Sequence, residues 1–181
     1  MRRLALLMIL AMTASCGGPI ETRIQTEAAL PLPAQKQYSF TVKPEQEGSV
    51  YQTARQLVAA ALTEKQFTAV DEAPVRVHIA LANRPASIAL TTGEKDDVRV
   101  IASPKERKPF QSCDDVEHRF TLTMVDSANG ATLYSGTAAE YHCKGSLEQS
   151  LPYLIDAALL DLGNGSNPAV NRKTRTRTGI E

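Results

Sequence analysis

Tyr38, Phe40 and Val42 alternate with Ser39, Thr41 and Lys43, the period-two pattern of a half-buried strand. Pro44 and Gly48 break it. Val50, Ala54, Leu57, Val58, Ala61 and Leu62 then recur at helical spacing. Ser49-Val50-Tyr51-Gln52 has the form of a capping box, so a helix is predicted over about 49–65, with Phe67 packing as the chain leaves it. Val75, Val77, Ile79 and Leu81 alternate with Arg76, His78, Ala80 and Ala82 in a second strand, which Pro85 ends. Such a strand–helix–strand unit should be right-handed, with its two strands parallel.

Ile88 and Leu90 on one side, and Val98 and Val100 on the other, flank a polar segment from Thr92 to Asp97 and read as a hairpin. Ser103 to Ser112 holds Pro104 and Pro109 and reads as a surface loop. A longer hairpin follows. Val116–Val125 and Ala131–Tyr141 are strand-like, and Asn129-Gly130 between them is a strong turn signal. Phe120, Leu122 and Met124 line one of its faces. Ser146-Leu147-Glu148-Gln149 is a second capping-box pattern. It opens a helix whose apolar face is Leu147, Leu151, Leu154, Ile155, Ala158, Leu159 and Leu162. Pro152 is tolerated near the first turn, where a missing N–H costs little. Gly163-Asn164-Gly165 is a stop. One sheet buries both helical stripes if the helices share a face. The predicted fold is therefore α+β: a two-layer sandwich of a single mixed, mostly antiparallel sheet with two helices packed on one face. Residues 37–162 carry this patterning and form one domain.

The flanks are different. Leu4 to Met12 is apolar, follows Arg2 and Arg3, and is too short to span a bilayer. Thr13, Ala14 and Ser15 follow, then Cys16. This is the layout of a secretory signal peptide. Its end resembles the lipobox of bacterial lipoproteins. The resemblance implies that residues 1–15 are removed, that Cys16 is the lipid-attachment site, and that the chain is exported. Two or more acyl chains hold a protein stably at a membrane without a spanning helix. Gly17 stands where lipoproteins retained at the inner membrane carry Asp, which implies the periplasmic face of the outer membrane. Gly17 to Lys36 contains Pro19, Pro31 and Pro33 without a sustained period, so residues 16–36 read as a flexible tether of roughly 25 Å root-mean-square reach. Residues 163–181 lack apolar periodicity and read as a disordered basic tail.

The chain has 181 residues, 43% hydrophobic and 22% charged, which suits one globular domain. Twenty basic residues balance twenty acidic ones, so the composition argues against a nucleic-acid partner. The zero total hides an asymmetry. Residues 17–162 hold fourteen basic and nineteen acidic residues, whereas the tail holds Arg172, Lys173, Arg175 and Arg177 against Glu181 alone. Those four charges solubilise a loose end, or touch anionic lipid headgroups or the acidic body of another copy.

Three cysteines in an exported chain call for an explanation. If Cys16 carries lipid, Cys113 and Cys143 are left to pair in an oxidising compartment. They lie symmetrically about residue 128, beside the hairpin turn, so they face each other across its open end.

No catalytic, metal or cofactor motif stands out. His142 and Cys143 are adjacent on a strand and point to opposite faces, as do Cys113 and His118, so with His78 they make no convincing metal set. Asp96-Asp97 and Asp114-Asp115 lack the further oxygen ligands calcium needs and read as solvated turns. No nucleophile elbow or phosphate loop is present, and a triad of distant residues is recognised only by geometry.

The chain resembles a family of small Gram-negative lipoproteins grouped as domain of unknown function 4136. The resemblance covers about residues 37–162. It rests on Tyr38-Ser39-Phe40, Leu62-Thr63-Glu64-Lys65-Gln66-Phe67, Val75-Arg76-Val77-His78-Ile79, and the late hairpin with its closing helix. Members often carry Gly where Gln66 stands. The resemblance implies an α+β lipoprotein domain and supplies no catalytic residues. The expectation is a non-enzymatic outer-membrane lipoprotein, held by its anchor and acting as an interaction or envelope accessory module toward an envelope protein or lipid. The alternatives are a lipid or small-molecule carrier binding between sheet and helices, and an envelope hydrolase.

Overall fold

The computed structural model describes residues 19–41, 48–93, 98–107, 111, 113–163 and 169–179. The elements are β1 (Ile20–Ala28), β2 (Gln37–Phe40), α1 (Ser49–Glu64), β3 (Thr68–Ala69), β4 (Val75–Pro85), β5 (Leu90–Thr92), β6 (Arg99–Ala102), β7 (Val116–Asp126), β8 (Thr132–His142), α2 (Leu147–Ala158) and β9 (Ala169–Arg177). Seven strands form one mixed sheet in the order β3-β2-β4-β7-β8-β1-β9, and β5 and β6 form a separate two-stranded ribbon. The α+β class with one large mixed sheet is as the sequence predicts.

The strand–helix–strand unit pairs β2 parallel to β4, with Tyr38 opposite Val75 and Phe40 opposite Val77. The β4/β7 and β7/β8 pairs are antiparallel. Between β7 and β8 the turn is closed by Gly130 at φ +73 and by Asp126, whose side chain accepts from the backbone of Ala128 at 2.7 Å. Side chains alternate across the sheet, so Val77 and Ile79 on β4, Phe120, Leu122 and Met124 on β7, and Tyr134 and Ala138 on β8 share one core with Val58, Leu62, Leu151, Leu154 and Ile155 of the helices. These side chains form the apolar core between the middle of the sheet and the helices. Gly136 lets α2 lie close, because a Cβ there would run into the Ala158 carbonyl. That same carbonyl accepts a 2.7 Å hydrogen bond from the Tyr134 hydroxyl.

Two flanks depart from expectation. The segment read as a tether contains β1, which lies inside the sheet between β8 and β9. Its core-side residues are Ile20, Thr22, Ile24 and Thr26. Two of the four are threonines, so the alternation is weak in hydropathy. Their hydroxyls are satisfied, Thr22 donating to Glu140 at 2.5 Å and Thr26 to Asp161 at 2.6 Å. The segment read as a disordered tail contains β9, an edge strand of the sheet, paired with β1 over nine residues. It has no apolar face because its helix-side residues are held by ion pairs: Lys173 to Asp161 at 2.9 Å, Arg175 to Asp156 at 3.0 Å and Arg177 to Glu140 at 2.6 Å. A basic, threonine-rich edge also discourages pairing with a further strand.

The helix ends differ in a similar way. Around α2 the capping box forms, with Ser146 accepting from the Gln149 backbone and the Gln149 side chain accepting from the Ser146 N–H. Around α1 the box predicted at Ser49–Gln52 does not form, because Gly48 takes the N-cap position and makes no side-chain bond. At its other end Gln66 stands at φ +67, the left-handed region, and Phe67 N–H reaches back to the Leu62 carbonyl at 2.9 Å. A side chain in that region costs about 1–2 kcal/mol that glycine avoids. Gln66→Gly is therefore expected to raise the unfolding free energy by about 1 kcal/mol, read from urea denaturation midpoints at unchanged m-value.

Cys113 and Cys143 are joined, with Cα atoms 5.6 Å apart. They sit just outside β7 and β8, beyond the Val116–His142 pair that ends the ladder. The bridge thus staples the open end of the hairpin. Chain entropy for such a loop gives roughly 3–4 kcal/mol, and the ladder already closes most of it, so reduction is expected to cost about 2 kcal/mol. Denaturation with and without reductant measures it. An unchanged midpoint would show that the bridge adds nothing to the hairpin.

Candidate functional site

Parity along the hairpin places His118, Glu140 and His142 on the core side with Phe120 and Ala138, at the end of the sheet where the apolar core runs out. His118 is opposite Glu140, and Val116 is opposite His142. The two imidazoles stack, with ring centroids 4.5 Å apart and planes 19° from parallel. Ser150, one turn into α2, closes the cluster. Its Oγ lies 2.8 Å from His118 Nδ1 and 3.0 Å from His142 Nε2, and it also donates to the Ser146 carbonyl. His142 Nε2 is 2.9 Å from Glu140 Oε2. Glu140 further accepts from Thr22 and from both Nε and Nη2 of Arg177, while the Arg177 guanidinium lies 3.9 Å from the centre of the Tyr153 ring.

Burial lowers the His118 pKa to about 4, helped by the neighbouring His142 and opposed by Glu140. His118 is thus neutral near pH 7. Burial pushes the Glu140 carboxyl upward, but the bonds from His142, Arg177 and Thr22 outweigh it and hold the pKa near 2. A cavity of about 660 Å³ opens beside the pair, walled by Val50, Tyr51, Leu81, Asn83 and the Cys143–Leu147 segment.

Serine, histidine and a carboxylate do meet here, but not in relay order. A catalytic histidine binds the acid through one ring nitrogen and the nucleophile through the other. Here a single nitrogen, His142 Nε2, faces both Glu140 and Ser150. The Ser150 residue is buried and its hydroxyl is engaged by three partners. The arrangement anchors the first turn of α2 to the end of the hairpin.

Among the described residues the opposite face of the sheet carries no helix. There Glu117, fully buried on β7, takes Arg23 of β1 at 2.6 Å, Arg84 of β4 at 3.0 Å and Arg119 of β7 at 3.0 Å. Burial raises its pKa, and the bonds to Arg23 and Arg119 more than reverse this, so the carboxyl sits below its ordinary value. Tyr141 lies under the Arg23 guanidinium at 4.1 Å, with the Lys105 ammonium at 4.5 Å from its ring. Next to this cluster runs a groove of about 820 Å³. Arg23, Arg119 and Arg172 contribute to its floor, and Val100 and Ile101 of β6 to its wall.

Of the residues singled out from sequence, Cys16 lies outside the described residues, as do Asp96-Asp97. Cys113 and Cys143 are bonded. Arg172, Lys173, Arg175 and Arg177 do not act together: strand alternation sends Lys173, Arg175 and Arg177 to acids of the same chain on the helix side, while Arg172 faces the groove, its Nε 3.5 Å from Gln25 Oε1. The acidic body that the tail meets is its own. No group of three or more potential metal ligands exists among the described residues, and no helix there is long and apolar enough to cross a membrane. The His118–Ser150–His142 cluster and the arginines around Glu117 were not found by motif. Hairpin symmetry about residue 129 would have set His118 against Glu140.

No family model matches the chain, and no characterised protein matches it in sequence. Its fold is similar to that of a solved structure, and weaker likenesses are found to others. A PDZ domain protein from Parabacteroides distasonis superposes with a TM-score of 0.54 at 10% identity, over 87% of this chain and 39% of that one. The chain thus spans well under half of that protein. A PelC dodecamer from Paraburkholderia phytofirmans gives 0.46 at 14% identity, over 77% of this chain and 95% of that one. A candidate lipoprotein from Caulobacter crescentus gives 0.40 at 11%, over 70% and 88%. At 10% identity the first of these likenesses concerns the fold alone.

Proposed function

We propose that this chain is an exported lipoprotein, anchored through Cys16 to the periplasmic face of the outer membrane, and that it works as a binding module rather than an enzyme. The observation that carries the reading is the joining of Cys113 to Cys143. It uses two of the three cysteines and leaves Cys16, at the end of the apolar leader, for a lipid. The non-catalytic part is supported by the buried, fully engaged Ser150 hydroxyl.

The position of β1 sharpens the picture. Only four residue steps separate Cys16 from Ile20, at most about 14 Å of extended chain. The domain is held against the membrane, not hung from a long tether. Its near end is the one that carries the start of β1, the end of β9 and the disulfide.

Intact mass of the native protein from the membrane fraction, with and without reductant, tests the reading. A chain starting at Cys16 with added acyl mass, gaining two hydrogens on reduction, is expected. An unlipidated soluble chain with three free thiols would sink it.

A further inference from the structure

Among the described residues, the groove on the face away from α1 and α2 carries more positive charge than the fold uses. Strand register builds its floor: Arg119 of β7, Ala139 of β8, Arg23 of β1 and Thr174 of β9 lie in one row across the sheet. Thr137, Gln25 and Arg172 lie in the next. Three guanidiniums, those of Arg23, Arg84 and Arg119, share the single carboxylate of Glu117, so two charges are left over. Arg172 adds a third, since its side-chain partner is the neutral amide of Gln25. None of the described residues lining the groove is acidic. Glu21 and Glu27 share the outward face of β1 but stand beyond the lined stretch, at its two ends. Arg23 Nε is buried without a hydrogen-bond partner among the described residues. A buried donor left open is costly, and natural structures usually fill it.

The wall of the groove is apolar. Val100 is 60% and Ile101 50% exposed, and both line it. A surface that joins a cationic floor to an exposed aliphatic wall complements a molecule with both properties. Arginine forks suit phosphate oxygens, and a surplus near three charges suits a phosphate monoester, which carries between one and two negative charges, better than a lone carboxylate. The volume, about 820 Å³, is that of a small-molecule site.

We propose that this groove binds a phosphate-headed amphiphile, its head on Arg23, Arg119 and Arg172 and its apolar arm against Val100 and Ile101. The site is independent of lipidation at Cys16, so either idea can fail alone.

The test is calorimetric titration of the full chain, in a neutral maltoside detergent, with dihexanoyl phosphatidic acid, dihexanoyl phosphatidylcholine and inorganic phosphate. Saturable binding of phosphatidic acid is expected, weakening as salt is raised, with phosphatidylcholine at least tenfold weaker. Arg172→Gln should weaken it at least fivefold. Arg172 is exposed and makes a single long hydrogen bond, so this variant folds. Arg175→Gln, on the other face of the same strand and with the same change in net charge, should leave it unchanged. Val100→Asp should weaken it while leaving the floor intact. No binding of phosphatidic acid, or equal losses in Arg172→Gln and Arg175→Gln, overturns the site. Equal affinity for inorganic phosphate overturns the apolar arm.

Discussion

Glu117→Gln is expected to lower the unfolding free energy by about 3–5 kcal/mol, the range found when one partner of a buried ion pair is removed. The substitution keeps the shape of the side chain and deletes its charge. What remains is three guanidiniums, from β1, β4 and β7, converging on a neutral amide that is fully buried. Their side chains are only 35%, 12% and 16% exposed, so water replaces little of the lost attraction. The loss also strikes the sheet at three strands at once, because Glu117 is the tie between Arg23 of β1 and Arg84 of β4. Urea denaturation of the variant at pH 7 measures it. Adding Arg119→Gln to Glu117→Gln should recover part of the loss, giving a coupling energy of the opposite sign. A loss below about 1 kcal/mol would mean that the cluster is solvated like an ordinary surface pair. Asp114→Asn supplies the comparison, since its pair with Arg107 is exposed on both sides, and its midpoint should not move.

The same cluster shows where the sequence was legible and where it was not. The helices, the parallel β2/β4 unit and the long hairpin follow from apolar periodicity, because their buried faces are aliphatic and aromatic. The disulfide follows from symmetry about the turn. β1 and β9 escaped because their inward positions are Thr22, Thr26, Lys173, Arg175 and Arg177. Those side chains are stabilised by hydrogen bonds and ion pairs to Glu140, Asp156 and Asp161, partners more than a hundred residues from β1. Hydropathy has no period where the inward-facing side chains are themselves polar. The same holds for the site. Glu117 and Glu140 read as ordinary strand charges until β1 and β9 are in the sheet, and only then do Arg23 and Arg177 reach them. Arg172 and Arg175 looked like members of one basic run. The strand sends them to opposite faces, one toward open charge and one toward Asp156.

Acid should unfold the domain in two overlapping stages, the second large effect expected. His118 has its pKa lowered to about 4 from an ordinary 6.5. Between those values the unfolded chain holds a proton that the folded one refuses, so stability falls as pH drops through this window and is fully present above it. The shift corresponds to roughly 3 kcal/mol. Glu140, near 2 against an ordinary 4.5, acts in the same direction lower down: its contribution is complete above 4.5 and is lost as pH falls toward 2. The groups facing this pair are His142, Ser150, Thr22 and Arg177, and none of them supplies a second carboxylate to reverse the sign. Urea midpoints should therefore be flat above about pH 6.5 and should fall steadily to pH 4 and below. His118→Gln should flatten the upper stage and leave the lower one, whereas a slope unchanged in that variant would place the titration elsewhere. Both groups sit where α2 begins and the hairpin ends. Protonation there sets a charged imidazole against Ser150 and His142, and so loosens the first turn of α2 before it reaches the aliphatic core.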